Sequence, residues 1–374
     1  MPIKLDITIP NTEIRNLLSF FPRGIVAFDV ETTGLSPLTD KIIEIAGVKI
    51  NERGEVHSFQ TLINPRIDIP KHTIEIHQIT DLMVKSAPSL KWALLQFMEF
   101  SRGLPLLAHN AKFDIGFLLS SLYEEGIDFP KCEVYDSCRL GRKAIVQSQI
   151  DSYRLSSLAQ KFNIPTEMLH RAASDAYVCL RVFSNSIEHM SKTTSNLDGI
   201  INCARILRID PGLSDKMSFY VPEHLQGIIP KLSTKEVIEI KYDGGSMKRE
   251  FRPVKPISFL PLPNGSILYA LCVHSLTNKS FQMKKIMATR FLSKEELDKW
   301  EDYIKVKKEN NNSSKNNSAF ATSKTSTSIS NSSVNCNSTN TNANINGEVN
   351  RSEPEDVLLN IDDEFCYSQN RDVD

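Results

Sequence analysis

The chain has 374 residues, enough for roughly two or three domains, and its 44 Lys and Arg residues nearly balance its 45 Asp and Glu residues. This balance neither indicates nor excludes a nucleic-acid partner, because a local basic groove is compatible with a neutral total. Seven scattered cysteines without a Cys-x-x-Cys pair argue against a disulfide framework and a zinc site. We expect a cytoplasmic protein with no membrane partner, because no secretory signal opens the sequence and no apolar run approaches the roughly 18 residues of a membrane span.

Three successive strands are predicted near the N-terminus, over residues 24–31, 41–50 and 55–63. The segment NERG at 51–54 is a turn signal between the last two strands, which favours an antiparallel meander. Helical and extended patterns then alternate: helices are predicted over 89–101, 115–126, 154–162 and 174–190, and strands over 104–109 and 132–136. This order predicts an α/β fold, a mixed sheet flanked by helices.

The rest of the chain changes character several times. Residues 225–308 alternate apolar and polar positions around DGG and NG turn signals, which predicts a small β-rich domain that ends in a helix over 293–308. We therefore divide the chain into an α/β domain over 1–191 (core 22–190), a linker over 192–224, the β domain over 225–308 and a disordered tail over 309–374. The tail is rich in Asn, Ser and Thr and then acidic, so it is either a solvated segment or a docking peptide.

Carboxylates recur at the ends of buried elements. Asp29 and Glu31, in FDVETTG, are two residues apart on a strand, so both side chains emerge on one face. Asp114 follows the buried strand over 104–109, and Asp175 lies near a helix start. Solvated acids at a strand edge are the alternative reading. If the four carboxylates converge, their repulsion raises their pKa values, and divalent cations with oxygen ligands such as Mg²⁺ or Mn²⁺ remove that repulsion.

His170 lies five residues before Asp175, so both can face one site only if His170 is in the loop that enters the helix. A histidine at that point could take a proton from a water that attacks a phosphodiester. A surface loop histidine remains the alternative.

Together these stretches resemble the DEDDh family of 3′→5′ exonucleases, which includes the proofreading epsilon subunit of the bacterial replicative DNA polymerase. Three motifs appear in the family's order, FDVETTG, LLAHNAKFD and HRAASDA, and the resemblance covers about residues 22–190. It implies a ribonuclease-H-like fold. It also implies that Asp29, Glu31 and Asp175 hold a first Mg²⁺ ion and that Asp114 supports a second, which Asp29 bridges. Mn²⁺ is expected to substitute for Mg²⁺, and His170 would be the general base.

The resemblance also implies contacts to the substrate. Thr32 and Thr33 would lie beside the 3′-terminal nucleotide, with Asn110 and Phe113 on the other wall. The segment IHQIT departs from the family's His-Gly-Ile-Thr pattern because Gln78 replaces the glycine, which puts the shape of this loop in question.

The β domain resembles a WYL domain, a small SH3-like β module of bacterial regulators. RPVKPISF (252–259) matches that module's first run, whereas Leu268 and Ala270 replace the outer residues of its naming tripeptide. Such modules are thought to bind nucleic acid or nucleotide-like ligands. A purely structural β domain is the alternative, because the departures fall on residues that would define the pocket.

The leading hypothesis is a 3′→5′ exonuclease that acts on single-stranded DNA 3′ ends in replication or repair, with a DNA polymerase as a partner in trans. An enzyme that trims RNA uses the same chemistry and stays open. A nucleic-acid sensor that works through the β domain on an inactive nuclease scaffold is the hypothesis of another class. The complete set of four carboxylates and one histidine favours the enzyme.

Overall fold

The computed structural model describes residues 8–166, 171–194, 196–245, 247–263 and 265–322. Within these ranges, residues 8–292 form one compact unit and residues 293–322 belong to a second. No helix in the described part of the chain is long and apolar enough to cross a membrane.

Strands of the first unit fall into two sheets. The first sheet contains β1 (Gly24–Thr32), β2 (Ile42–Asn51), β3 (Val56–Leu62), β4 (Leu106–Ala108), β5 (Cys132–Asp136) and β6 (Arg205–Ile209). The second sheet contains β7 (Ile238–Tyr242), β8 (Phe251–Leu260), β9 (Ile267–Cys272), β10 (Thr277–Gln282) and β11 (Ile286–Phe291).

Helices surround the first sheet and accompany the second. They are α1 (Asn11–Phe20), α2 (Lys71–His77), α3 (Asp81–Val84), α4 (Leu90–Phe100), α5 (Lys112–Glu124), α6 (Ser137–Ala144), α7 (Leu155–Lys161), α8 (Ala172–Ser191), α9 (Leu197–Ala204), α10 (Ile229–Thr234) and α11 (Lys294–Thr322). The predicted alternation of strands and helices over 24–190 is confirmed, with ends that differ by a few residues.

The first sheet is mixed, in the order β3-β2-β1-β4-β5-β6. Strands β1, β2 and β3 form the predicted antiparallel meander. Strand β4 pairs parallel to both β1 and β5, and β6 closes the far edge antiparallel to β5. The central strand β1 therefore pairs with β2 along its length and with β4 only at Val26 and Ala27.

Apolar side chains of β1 alternate between two cores. Ile25 and Ala27 pack in one core with residues of α8, while Val26, Phe28 and Val30 pack in the other with residues of α4 and α5. Because side chains alternate along a strand, Asp29 and Glu31 emerge on the same face as Ile25 and Ala27, the face that α8 covers.

The second sheet is antiparallel, in the order β10-β9-β8-β7-β11, and its position agrees with the predicted β-rich domain. Apolar residues of β7, β8 and β9 build its core together with side chains from the segment 221–232. The likeness to an SH3-like WYL domain stays a prediction.

Two ranges differ from the predicted division. The range 192–224, predicted as a linker, contains α9 and β6, which add apolar side chains to the two cores of the first sheet. A fragment that ends at residue 191 therefore lacks one edge strand of the sheet. The tail also begins later than predicted, because α11 continues from the predicted helix as far as Thr322. Extending an existing helix is far less costly than nucleating one, which accounts for the extra turns. The remaining tail, 323–374, lies outside the described residues.

Candidate active site

Strand β1 delivers two of the four predicted carboxylates. Asp29 and Glu31 are partly and fully buried, respectively, and the register shifts between Glu31 and Thr32, where the strand leaves the regular ladder. Glu31 pairs across the ladder with Glu44 of β2. The end of β1 therefore concentrates acidic side chains in the middle of the sheet.

Helix α8 delivers the third carboxylate. Ala172 and Ala173, in its first turn, pack against Ala46 of β2. Side chains this small allow the helix to approach the sheet closely, which brings Asp175 onto the end of β1. One oxygen from each of Asp29, Glu31 and Asp175 lies within 4.8 Å of the others. The predicted convergence is present for these three residues.

Asp114 lies in the first turn of α5 and is 2% exposed. The backbone amide of Val30 donates a hydrogen bond to its Oδ1 over 3.3 Å, which ties α5 to β1 beside Asp29. Asp114 does not belong to the group of three whose oxygens lie within 4.8 Å of one another. Its charge nevertheless raises the pKa values of both Asp29 and Glu31. Its position suits the supporting role that the motif implies.

The electrostatics of the cluster favour protonation in the absence of a cation. Burial is the largest cause that raises the pKa of Asp29 well above its ordinary value, and the charges of Asp114, Asp175 and Glu31 raise it further. Burial and the charges of Asp175 and Glu44 likewise raise the pKa of Glu31 well above normal. The pKa of Asp114 is also raised, chiefly by burial.

These donors fit a hard divalent cation. All are carboxylate oxygens, and among the described residues neither Asp29 nor Glu31 is in an ion pair. A cation that occupied the cluster would remove the repulsion that raises their pKa values. Oxygen ligands of this kind suit Mg²⁺ or Mn²⁺ better than Zn²⁺.

Asp136 organises the loop that precedes α5, and the motifs did not identify it. Its Oδ1 accepts hydrogen bonds from the amides of Asn110 and Arg139, and its Oδ2 accepts one from Ala111. Asn110 has a φ of 64°, in the left-handed region that asparagine tolerates better than most residues. The position of Asn110 beside Phe113 is therefore fixed by a buried carboxylate at the end of β5.

The two threonines after Glu31 are buried, at 5% exposure for Thr32 and 2% for Thr33. The hydroxyl of Thr32 donates to the carbonyl of Gly34, and the hydroxyl of Thr33 accepts from the amide of Lys41. Each hydroxyl therefore holds the loop that follows β1, and each retains hydrogen-bonding capacity for a ligand. Phe113 is half-buried, with its ring 4.9 Å from that of Phe117. Contact of these residues with a substrate stays a prediction.

His170 lies outside the described residues. The residue after it, Arg171, forms an ion pair with Glu44 of β2. The guanidinium of Arg171 donates to both oxygens of Glu44, at 3.1 Å and 2.6 Å. Glu44 is fully buried and also accepts from the amide of Ala172 and from the side chain of Gln60. This network fixes the start of α8, and with it Asp175. In the sequence, Glu44 is an acid within the apolar run DKIIEIAGVKI, and an acid in an apolar run is also the signal that identified Asp29.

Glu44→Gln is expected to lower the free energy of unfolding by about 2–3 kcal/mol. Breaking a buried ion pair by removing one partner costs about 3–5 kcal/mol, and the value is smaller here because the side chain of Arg171 is 35% exposed. Urea unfolding of the full chain measures the change. Glu124→Gln is the matched control, since it breaks the more exposed pair with Lys41 and should cost less than about 1 kcal/mol. Equal losses for the two variants would contradict the anchoring role of Glu44.

Among the described residues, His77 and His109 are structural histidines. Nε2 of His109 donates to the carbonyl of Tyr153 over 3.0 Å, so Nδ1 accepts from the hydroxyl of Ser137. Burial lowers the pKa of His109 to about 4, and the same cause lowers that of His77 to about 4. Both rings are therefore neutral near pH 7.

Gln78, which stands where the family has a glycine, adopts a left-handed backbone conformation. Gln78 adopts a φ of 60° at the end of α2, and its side-chain amide donates to the carbonyl of Glu75. The left-handed conformation costs a non-glycine residue about 1–2 kcal/mol. Gln78 therefore adopts a left-handed conformation that a glycine would adopt at lower cost.

Several known proteins are similar to this chain. A family model described as Exonuclease matches residues 26–183. The PolC-type DNA polymerase III of Caldanaerobacter subterraneus subsp. tengcongensis is 35% identical over 180 residues, which are 47% of this chain and 13% of that protein. The DNA polymerase III subunit epsilon of Treponema pallidum is 36% identical over 169 residues, which are 44% of this chain and 77% of that protein. Among solved structures, E. coli Exonuclease I in complex with a dT13 oligonucleotide matches with 14% identity and a TM-score of 0.43, over 76% of this chain and 71% of that one.

The mixed sheet, its flanking helices and the carboxylate cluster define an exonuclease fold of the ribonuclease-H-like class. The chain belongs to the exonuclease family, since it covers 77% of the epsilon subunit at 36% identity. It spans only 13% of the length of the first PolC-type polymerase that it matches and 10% of the second.

Proposed function

We propose that the chain is a 3′→5′ exonuclease that releases nucleotides from DNA 3′ ends in proofreading or repair. The observation that carries this proposal is the convergence of Asp29, Glu31 and Asp175 from β1 and α8, with their oxygens within 4.8 Å of one another. The choice of DNA is supported by the relatives, which are DNA polymerase III components.

The roles proposed for the side chains rest on the three sequence motifs and, for the carboxylates, also on their positions. Asp29, Glu31 and Asp175 would hold one Mg²⁺ ion, and Asp29 with Asp114 would hold a second. When bound, the two ions would make a water nucleophilic and neutralise charge on the leaving oxygen. His170 would accept the proton of that water, and Arg171 would fix the segment that carries His170 through its ion pair with Glu44.

The 3′-terminal nucleotide would lie between two walls. Thr32 and Thr33, at the end of β1, form one wall, and Asn110 and Phe113, at the start of α5, form the other. The proposed partner is a single-stranded 3′ end, with a DNA polymerase in trans as the protein that would supply mismatched ends.

Parallel digestion of three 3′-labelled substrates tests the proposal. Single-stranded DNA, a duplex with a mismatched 3′ end and single-stranded RNA are incubated with the full chain and Mg²⁺, with Asp29→Asn as the inactive control. We expect both DNA substrates to be shortened from the 3′ end and RNA to be cleaved more slowly. Faster cleavage of RNA would assign the chain to RNA trimming, and binding without cleavage of any substrate would favour the sensor.

Metal binding should stabilise the protein more at pH 8 than at pH 5.5. The raised pKa values of Asp29, Glu31 and Asp114 mean that the folded state holds protons that the unfolded state releases, so stability without metal falls as pH rises through this range. A cation binds the deprotonated cluster, so its effect grows with pH. At an Mn²⁺ concentration about 100 times Kd we expect a gain of about 2.7 kcal/mol at pH 8, measured as a shift in melting temperature. The difference between samples with and without Mn²⁺ at each pH cancels the contributions of His77 and His109. An equal shift at both pH values would contradict the cluster as the binding site.

A further inference from the structure

Strand β8 of the β domain touches both chain segments that carry the candidate substrate residues. One segment is the loop 33–41, which follows β1 and begins at Thr33. The other is the first half of α5, which carries Phe113. Two consecutive residues of β8, Phe259 and Leu260, make these two contacts.

The first contact is made by Ser36, which is fully buried in the loop 33–41. The amide of Phe259 donates to the Ser36 hydroxyl over 3.1 Å, and that hydroxyl donates to the carbonyl of Phe259 over 3.3 Å. Leu38, two residues further along the loop, packs against the core of the β domain. The serine hydroxyl therefore satisfies both backbone groups of a strand residue in the neighbouring domain.

The loop 33–41 is closed on itself, so this contact reaches Thr33. The amide of Thr33 donates to the carbonyl of Lys41, whose own amide donates to the Thr33 hydroxyl. The carboxylate of Asp40 accepts from the amide of Ser36. A Cβ at Gly34 would lie 2.5 Å from this carboxylate, which is why a glycine follows the threonines.

The second contact is made on α5. A Cβ built at Gly116 would lie 3.3 Å from Pro37 of the loop and 3.7 Å from Leu260, so the helix passes close to both. Phe113, one turn earlier, packs against the cluster of Leu260, Ile267 and Tyr269. Phe113 therefore packs against the core of the first sheet and against the β domain.

We infer that β8 is a brace for the 3′-end pocket: the β domain positions Thr33 through Ser36, and it positions Phe113 through Leu260. The inference rests on the proposed function, and it gives the β domain a role in substrate positioning that needs no ligand of its own. Ser36 and Leu260 are positioning residues, since each acts through a neighbour.

Two substitutions in the full chain test the brace, and each has a matched control. Ser36→Ala removes the hydroxyl that pairs with Phe259. Ser258→Ala is its control, because Ser258 is 1% exposed in the same strand and its hydroxyl has no hydrogen-bond partner among the described residues. Leu260→Ala removes the packing against Phe113, and Leu260→Met, which conserves volume, should restore it.

Binding of deoxythymidine 5′-monophosphate in the presence of Mn²⁺, followed by calorimetry, reports on the pocket. We expect Ser36→Ala and Leu260→Ala to weaken nucleotide binding about tenfold, which corresponds to about 1.4 kcal/mol. Mn²⁺ affinity should stay within about twofold of wild type, because no carboxylate of the cluster has been changed. Amide exchange at Thr33 should accelerate selectively in Ser36→Ala, a change that a general loss of stability would not confine to this loop.

Three outcomes would overturn the brace. In the first, the wild-type chain binds the nucleotide and cleaves DNA, and both variants keep the wild-type affinity for the nucleotide. The proposed function then stands and the brace alone fails. Another is a loss of Mn²⁺ affinity equal to the loss of nucleotide affinity, since the defect would then lie in the metal cluster. The third is a wild-type chain that neither binds the nucleotide nor cleaves DNA, in which case the proposed function falls together with the brace.

Discussion

Asp29→Asn is expected to abolish cleavage and metal binding together. Asp29 is the carboxylate that the proposal assigns to both ions, and it lies in the cluster with Glu31 and Asp175. Loss of the ions removes several kcal/mol of transition-state stabilisation, so the single-turnover rate should fall by at least about 10³-fold. Calorimetry with Mn²⁺ should show no binding at the concentrations that saturate the wild type.

Without metal, the Asp29→Asn protein should nevertheless be at least as stable at pH 8 as the wild type without metal. Replacing Asp29 with its neutral isostere removes a buried carboxyl whose pKa is raised, and with it the repulsion from Asp114, Asp175 and Glu31. Thermal unfolding with EDTA measures this directly. Asp128→Asn is the matched control on an exposed loop residue and should leave the cleavage rate, metal affinity and stability unchanged. A destabilised Asp29→Asn protein would show that the cluster is structural and would contradict its assignment as a metal site.

His170→Ala is expected to slow cleavage and leave the metal in place. The four carboxylates remain, so Mn²⁺ affinity should be close to that of the wild type. The rate should fall by roughly 10²–10⁴-fold, the range for loss of a general base. With Mn²⁺ saturating at every pH, the wild-type rate should rise with pH as the histidine loses its proton, and the variant should lack that rise.

Single-turnover cleavage across pH 5–9 beside Mn²⁺ calorimetry separates the two classes of residue. His109→Ala is an informative comparison, because His109 is buried between Ser137 and Tyr153 and should affect stability more than the pH profile. Loss of metal in His170→Ala as complete as in Asp29→Asn would remove His170 from the role of base. So would a full rate with the wild-type pH profile.

Local patterns in the sequence were sufficient for most of the nuclease fold. The period-two pattern over 24–31 predicted a strand that places Asp29 and Glu31 on one face, and β1 has this arrangement. The helix predicted over 174–190 is α8, which carries Asp175 to that face. These predictions succeeded because the residues of one element determine its periodicity, and the ordered motifs then indicated which elements meet.

Features that depend on distant partners were not predicted. Residues 205–209 carry no strong strand pattern, and they form β6 because β5 offers an unpaired edge. Ser36 looks like an ordinary loop serine until Phe259 is seen beside it. Glu44 stands out as an acid in an apolar run, but its ion pair depends on Arg171, which is far away in the sequence. In each case the contact is long-range, and no local pattern of residue types encodes it.

The strand order also has a consequence for synthesis on the ribosome. The chain emerges from its N-terminus, so β1 appears early with Asp29 and Glu31, whereas Asp175, β6 and β8 appear much later. Parallel pairing of β1 with β4 and β4 with β5 joins distant segments, and non-local pairings of this kind form slowly. A nascent chain therefore carries two of the carboxylates proposed to bind metal long before it can assemble the cluster. Nuclease activity should appear only when the domain is nearly complete.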